Sequence, residues 1–506
     1  MLAPRVALTL ALLSGCTTDV DPDETAVAIA ESQPRPVVPG KELVITDPSV
    51  IRAPLETTFD PSRPSGTAPA GAWSFGRLVH NMLPAHERDS AAAASRLVLA
   101  WLRTWETDQT PNPEVSPAFA RPAIRTLITN PWKAASGCAD PASPATDATC
   151  VLDLRRAPFR LAAIVNRPDL RIVADDGTAI GGEGRFVFQV VGPTLGVDAT
   201  TGAVTVMDPV VRPQKFTVIF EYSLPVATNL ETLKWANRWH SLGALPFGPG
   251  FNAMLRTITT DFSGPDRDRR RPNGNALNQL RTNEVALMGA RFPTAGFVTA
   301  KQFWELREFA LTATGLQPHT VNLEPARDFD VARPNQLEGE GSRTDELISF
   351  LGSNAAAVAA GRFTLPAGMS GNSALVGSAP YGAWGKLLNP SPPTRPATGF
   401  VHDLTGVDIA VRDSFALSTC AGCHRHETDT RHFMHVTLVG AMEPADKVDD
   451  RARVGVGPTT SDDATVLSNL LAADIAPGGG RHDDYARLLV TTGAELQNRR
   501  GPRRSH

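Results

Sequence analysis

Five cysteines are present in the chain, and two of them stand in Cys420-Ala421-Gly422-Cys423-His424. Two thiols separated by two residues, followed at once by an imidazole, have the spacing of c-type haem attachment. The thiols reach the two vinyl groups of the porphyrin as thioethers, and the histidine ligates the iron. Cys420 and Cys423 are therefore candidate covalent residues, and His424 is the candidate proximal ligand. For a sixth ligand, Met434 and His435 fall in Arg431-His432-Phe433-Met434-His435-Val436. Either is a candidate, and a five-coordinate iron is the remaining option. The same cluster offers competing chemistry. Four of the 11 histidines lie between 424 and 435. Cys420 and Cys423 with two of His424, His426, His432 and His435 would make a closed tetrahedral zinc site. A third option is a Cys420–Cys423 disulfide, redox-active or structural, in which His424 lowers a thiol pKa.

Covalent haem attachment takes place outside the cytoplasm, so the chain needs an export signal. Its first residues supply one. Arg5 gives a positive start, and Val6 to Leu13 is an apolar run of eight residues. Such a run is too short to span a hydrocarbon core of about 30 Å. It ends in Leu13-Ser14-Gly15-Cys16, which resembles the lipobox of bacterial lipoproteins. The resemblance implies cleavage before Cys16 and lipidation of its thiol. Cys16 is followed by Thr17 and Thr18, not by an aspartate, and this favours the outer membrane. Residues 17–50 are rich in Asp, Glu, Pro and Thr and read as a flexible tether. No later run approaches 18 apolar residues, so no membrane-spanning helix is expected.

The remaining cysteines, Cys138 and Cys150, flank a loop of Ala, Asp, Pro, Ser and Thr. In an oxidising compartment that pair is most simply a disulfide, contributing ~3 kcal/mol. Ahead of the C-x-x-C-H motif, Val411 to Thr419 reads as a helix with Phe415 directed toward a porphyrin. This is similar to the way small cytochromes c enter their haem motif, and the similarity covers roughly 410–506.

The charge balance is close: 49 Lys plus Arg against 53 Asp plus Glu, a net charge of −4. That excludes a polybasic nucleic-acid binder. Hydrophobic residues form 42% of the chain, enough for a large core. The 41 glycines and 42 prolines announce many turns. No G-x-S-x-G, H-E-x-x-H, Walker A or G-x-G-x-x-G is present, so no hydrolase or nucleotide site is read and no catalytic residue is assigned.

The elements that must position these residues follow from periodicity. Residues 51–150 read as helical with long loops. Asp89 or Ser90 caps a helix in which Leu97, Trp101 and Trp105 repeat at i, i+4 and i+8, a core stripe. Residues 151–325 read as β-rich. Phe186, Phe188 and Val190 alternate, as do Phe216, Val218, Phe220 and Tyr222, with Thr217 and Glu221 on the opposite side. Leu152 to Asn166 adds one or two strands. Asn283 to Met288 and Trp304 to Leu311 extend the sheet, and the pairing is antiparallel. Asp175-Asp176-Gly177 and Gly181 to Gly184 contain calcium-type oxygen donors, but turn chemistry accounts for them more simply. Residues 228–260 return to helix, and His240 reads as a satisfied core or rim histidine. An Ala-rich helix runs from Asp345 to Ala360. Ser461 caps a further helix with Asp462 and Asp463 in its first turn, and another spans Asp483 to Asn498.

The reading is an α+β protein. It comprises a signal peptide (1–15), a tether (16–50), an α+β body (51–364), a Pro/Gly/Ser-rich connector (365–400) and a small, mainly helical C-terminal segment (401–506). The arrangement resembles a class of bacterial lipoproteins with no assigned activity. Two functions are expected. One is a lipid-anchored envelope protein with a single haem c on Cys420, Cys423 and His424, transferring one electron to or from a redox partner protein. The other is a structural or binding envelope lipoprotein whose Cys/His cluster holds zinc or a disulfide. The membrane is a partner through the lipid in both, nucleic acid in neither. The folded part would face the periplasm or the exterior.

Overall fold

The structure is a computed structural model. It describes residues 35–63, 71–109, 118 and 120–173, 179–198, 203–287 (save 225 and 227), 305–323 (save 320), 344–359, 363, 365, 366, 371–373, 376, 377, 406–416, 434–441 and 461–491.

The fold is α+β, built on one antiparallel sheet of eight strands. These are β1 (Val44–Ile45), β2 (Phe159–Arg167), β3 (Glu183–Val197), β4 (Val204–Ser223), β5 (Leu277–Glu284), β6 (Glu305–Thr312), β7 (Gly315–His319) and β8 (Val376–Gly377). Their order is β1-β2-β3-β4-β5-β6-β8, with β7 paired to β6. Strand alternation sends every second residue to one face. Phe186, Phe220, Leu280 and Phe309 lie opposite one another across β3 to β6. That row is fully buried.

Helices cover this face. They include α1 (Phe75–Met82), α2 (Ala91–Arg103), α3 (Asn229–Leu242) and α4 (Pro249–Ser263). Ser74 and Ser90 cap α1 and α2 by accepting hydrogen bonds from backbone N–H groups. Thr228 and Glu231 form a capping box at α3. Phe75 of α1 stacks on Phe159 at 4.0 Å between centroids. Trp101 and Trp105 meet Phe309 at 6.1 and 5.2 Å. Phe262 of α4 lies 5.7 Å from Phe186. The stripe of Trp101 and Trp105 is thus core, as its spacing indicates, and Leu97 is partly buried against it. Gly184 is glycine because a Cβ there would meet the Phe262 ring at 2.4 Å.

Cys138 and Cys150 are joined in a disulfide. The loop between them wraps Lys133, whose buried ammonium donates to Asp147 Oδ1 at 2.6 Å and to the Ser143 carbonyl at 2.7 Å.

Further helices are α5 (Thr344–Ser353), α6 (Ala355–Ala359), α7 (Ile409–Ala416), α8 (Asn469–Ile475) and α9 (Gly480–Val490). A hairpin of β9 (Val436–Leu438) and β10 (Thr465–Leu467) precedes the last two. Val436, Leu438, Leu471, Ile475, Tyr485 and Leu488 share one hydrophobic core with the large sheet. Phe415 of α7 packs with Phe350 and Phe363.

Several element boundaries differ from the sequence reading. The stretch 16–50 is not a tether throughout: Val44 and Ile45 form β1, buried and paired with β2, because their apolar side chains join the core. Ser461 caps no helix. Residues 461–464 form a turn into β10, and the helix begins at Asn469 with Ser468 as its cap. Ser461 and Asp462-Asp463 mimic a helix start locally, but antiparallel pairing of 465–467 with 436–438 wins. Asp463 instead pairs with Arg160. The strand placed at 283–288 lies earlier, at Leu277–Glu284, where its residues pair with β4. The helical stretches 228–260 and 345–360 are each two helices. The last helix starts at Gly480 and ends at Val490.

Two stability outcomes follow. Phe220→Ala removes the centre of the aromatic row and should cost ~3–5 kcal/mol, read from urea denaturation. Cys138→Ser with Cys150→Ser should cost ~2–4 kcal/mol in the same measurement, with the reduced unsubstituted chain matching it.

Candidate functional site

The second face of the sheet is also buried, and it carries charge. Arg185 and Gln189 of β3, Glu221 of β4, Arg281 of β5 and Glu308 of β6 are buried, and Glu183 of β3 is partly buried beside them. They alternate with the aromatic row, so the same register fixes both faces. Arg185 pairs with Glu183 at 2.6 Å and with Glu221 at 3.1 Å. Arg281 pairs with Glu308 at 2.8 Å and approaches Glu221 at 3.6 Å. His319 of β7 closes the ladder through Nδ1, 2.9 Å from Glu308. Asn278 donates to Glu183 at 3.0 Å, and Gln279 donates to Glu221 at 2.6 Å.

Three carboxylates thus face two guanidiniums in low dielectric. Burial holds the Glu221 carboxyl above the usual carboxylate range, against the pull of Arg185 and Arg281. At Glu308 burial acts the same way, but Arg281 and His319 outweigh it and hold the carboxyl below that range. At Glu183 burial is likewise outweighed, by Arg185 above all, and the carboxyl again sits low. A second buried group lies at the edge of the aromatic face. There Arg121 pairs with Glu284 and Glu305, and Arg307 with Glu305. Burial pushes the Arg121 guanidinium down to about 10.

The polar face meets the segment that follows the C-x-x-C-H motif. Gln189 is fully buried and clamps that segment. Its amide N–H lies 3.7 Å from the Met434 thioether sulfur. Its carbonyl accepts from the Leu438 N–H at 3.3 Å and from the Thr437 hydroxyl at 3.4 Å. Met434 is 3% exposed and packs inward, against the sheet. His435, the next residue, is half-buried, and its Nδ1 lies 2.8 Å from Ser468 Oγ. Upstream, Ser414 of α7 donates to the Val358 carbonyl at 2.6 Å.

Cys420, Cys423, His424, His426 and His432 lie outside the described residues, as do Cys16 and Asp175 to Gly177. Gly181 to Gly184 form the entry to β3, where the Gly182 backbone has φ of 102°. His240 donates or accepts through Nδ1 at 2.8 Å from Glu42, a fully buried carboxylate that also holds Arg35 at 3.1 Å. It is a rim histidine tied to the start of the fold. Among the described residues, no group of three or more His, Cys, Asp or Glu side chains is arranged to hold a metal ion. Among them too, no helix is long and apolar enough to cross a membrane.

Sequence reasoning missed the ladder, Gln189 and Ser468. Glu221 was read opposite the aromatic face, but nothing in a period of two says whether the polar side meets water or a second layer. No protein-family model matches the chain, and no curated protein or solved structure matches it.

Arg281→Met should destabilise the chain by ~3–5 kcal/mol, because it breaks the buried ladder and leaves Glu308 to His319 and Glu221 to Arg185 alone. Replacing Glu308 by Leu in the same chain should recover part of that loss. The pH sign follows from Glu308. Its stabilising effect is complete above its unfolded pKa of about 4.3 and is lost as pH falls through its lower folded value. The drop in urea midpoint between pH 6 and pH 3 should therefore be smaller in Glu308→Gln than in the unsubstituted chain. Equal drops would exclude this carboxyl as a source of acid sensitivity.

Proposed function

We propose that the chain is an exported, lipid-anchored envelope protein that carries one c-type haem and transfers single electrons to or from a redox partner. The observation that carries this reading is Cys420-Ala421-Gly422-Cys423-His424 in a chain that begins with an export signal ending at Cys16. In this reading Cys420 and Cys423 hold the porphyrin through thioethers and His424 ligates the iron. A bound haem supplies one-electron exchange at its iron.

The donors next to the motif fit such a group, and their surroundings favour one of them. The Met434 sulfur is turned into the sheet and engaged by Gln189. His435 is half-buried, with Nδ1 engaged by Ser468. Metal-bound histidines ordinarily use one ring nitrogen for the metal and the other for a hydrogen bond. We therefore assign the sixth position to His435 through Nε2, and give Met434 a packing role. Gln189 then fixes the height of this segment on the sheet through its bonds to Thr437 and Leu438. The lipid on Cys16 would hold the body at a membrane surface, most simply the outer membrane.

The test is denaturing mass spectrometry with a pyridine haemochrome spectrum, on chain produced with a cytochrome c maturation system. The mass should rise by one haem, with a c-type absorption band. Cys420→Ala with Cys423→Ala should abolish that gain and leave the body folded, read from its urea denaturation. No haem, where a control cytochrome matures, would overturn the reading. Zinc in the purified chain would then make Cys420 and Cys423 ligands of a structural metal, and a Cys420–Cys423 disulfide would make them a staple. Cys16→Ala should release the chain from the detergent-extracted membrane fraction.

A further inference from the structure

The loop between Cys138 and Cys150 carries one buried residue, Asp147. Its carboxylate meets three cations. Oδ1 accepts from Lys133 Nζ at 2.6 Å, and Oδ2 accepts from Arg125 Nη2 at 2.7 Å and from Arg103 Nε at 3.3 Å. The Lys133 side chain is as buried as that of Asp147, Arg125 is nearly so, and Arg103 is half-exposed at the rim. Burial by itself would raise the Asp147 carboxyl, but the hydrogen bonds from Arg125 and Lys133 outweigh it and hold the carboxyl below the usual carboxylate range. Lys133 also donates to the Ser143 carbonyl at 2.7 Å and to Thr146 Oγ1 at 2.8 Å. All three acceptors of this ammonium therefore ride on the loop. No apolar side chain between the two cysteines is buried, so the disulfide and these polar contacts hold the loop down.

We propose that Lys133, Arg125 and Arg103 form a phosphate site which Asp147 fills as an internal anion, and that reduction of the Cys138–Cys150 disulfide by a dithiol opens it. The charge count selects the ligand. Glu106 pairs with Arg125 at 2.7 Å. With Asp147 withdrawn, the three cations face that one carboxylate, an excess of two positive charges. A phosphate dianion neutralises this excess, and a monocarboxylate does not. An ammonium brings a point charge and guanidiniums bring planar forks, both suited to phosphate oxygens. Cys138 is half-buried and Cys150 is buried, so attack falls on the Cys138 sulfur. The first thiolate of the dithiol forms a mixed disulfide with Cys138, and Cys150 leaves as a thiolate. The second thiolate then displaces Cys138 and closes the reductant into its own disulfide. Two electrons pass to the cysteines, and the two protons of the dithiol end on them. A disulfide over a loop of this size favours the closed form about a hundredfold, and its loss lets the loop carry Asp147 away.

Two readouts on the full chain test this. Acetylation of Lys133 by acetic anhydride, read by peptide mass spectrometry, should be at least tenfold faster in chain reduced with dithiothreitol than in oxidised chain. Titration calorimetry with inorganic phosphate should show binding to the reduced chain at least tenfold tighter than to the oxidised chain, with acetate unable to compete. Cys138→Ser with Cys150→Ser should reproduce both results without reductant, which excludes the other cysteines as their source. Arg103 is half-exposed, so Arg103→Gln keeps the fold and should weaken phosphate binding by the open chain at least threefold. Lys133 that stays protected after reduction overturns the inference, as does an open chain that binds no phosphate or an oxidised chain that binds it equally well. Circular dichroism accompanies each measurement, and loss of the whole fold on reduction makes the disulfide a structural staple and overturns the latch. Asp147→Ala with the disulfide intact then tests the cations by themselves. Phosphate should raise the melting temperature of that variant, and no rise overturns their assignment as a phosphate site.

Discussion

Around the aromatic row the central sheet is buried on both faces, and this constraint governs the rest of the molecule. An antiparallel sheet commonly turns one side to water. Here the row of Phe186, Phe220, Leu280 and Phe309 packs under helices on one side. Arg185, Glu221, Arg281 and Glu308 lie buried on the other. Charges removed from water must be paired, because a lone buried ion costs several kcal/mol. The four strands therefore have little choice of register. A slip of one residue would carry the guanidiniums into the aromatic layer and the phenyl rings into the ladder.

A dry second face needs a cover, and part of that cover comes from late in the chain. Gln189 sits where the ladder gives way to apolar contacts. It holds Met434, Thr437 and Leu438 through one side chain. Arg171 reaches Asp484 of α9, and the Tyr485 hydroxyl donates to the Ala236 carbonyl of α3 at 2.8 Å. The residues after the C-x-x-C-H motif are thus tied to both β3 and α3.

This has a chemical consequence for the two neighbours Met434 and His435. Gln189 engages the buried Met434 thioether, while the His435 imidazole meets Ser468. The β9–β10 pairing then brings Ser468 to the imidazole, because Ser468 follows directly on the strand that pairs with Val436. The two neighbours therefore meet different partners, one a hydrogen-bonding amide and the other a hydroxyl.

By itself the sequence determined the local features. Its period of two marked the aromatic strands around Phe186 and Phe220, and its period of four marked the Trp101–Trp105 stripe. Ser90 announced a helix start, and the α+β class followed from the order of these signals. The C-x-x-C-H spacing and the resemblance of Leu13-Ser14-Gly15-Cys16 to a lipobox are likewise local, since both are patterns along the chain. What needed the tertiary structure was anything set by residues distant in sequence. Glu221 looks the same in sequence whether its face meets water or a second layer. Ser461 with its two aspartates carries the signals of a helix start, yet pairing between 465–467 and 436–438 makes it a turn. The surroundings of Met434 and His435 belong to the same class. They come from Gln189 and Ser468, 245 and 33 residues away from their partners, and no local pattern records that proximity.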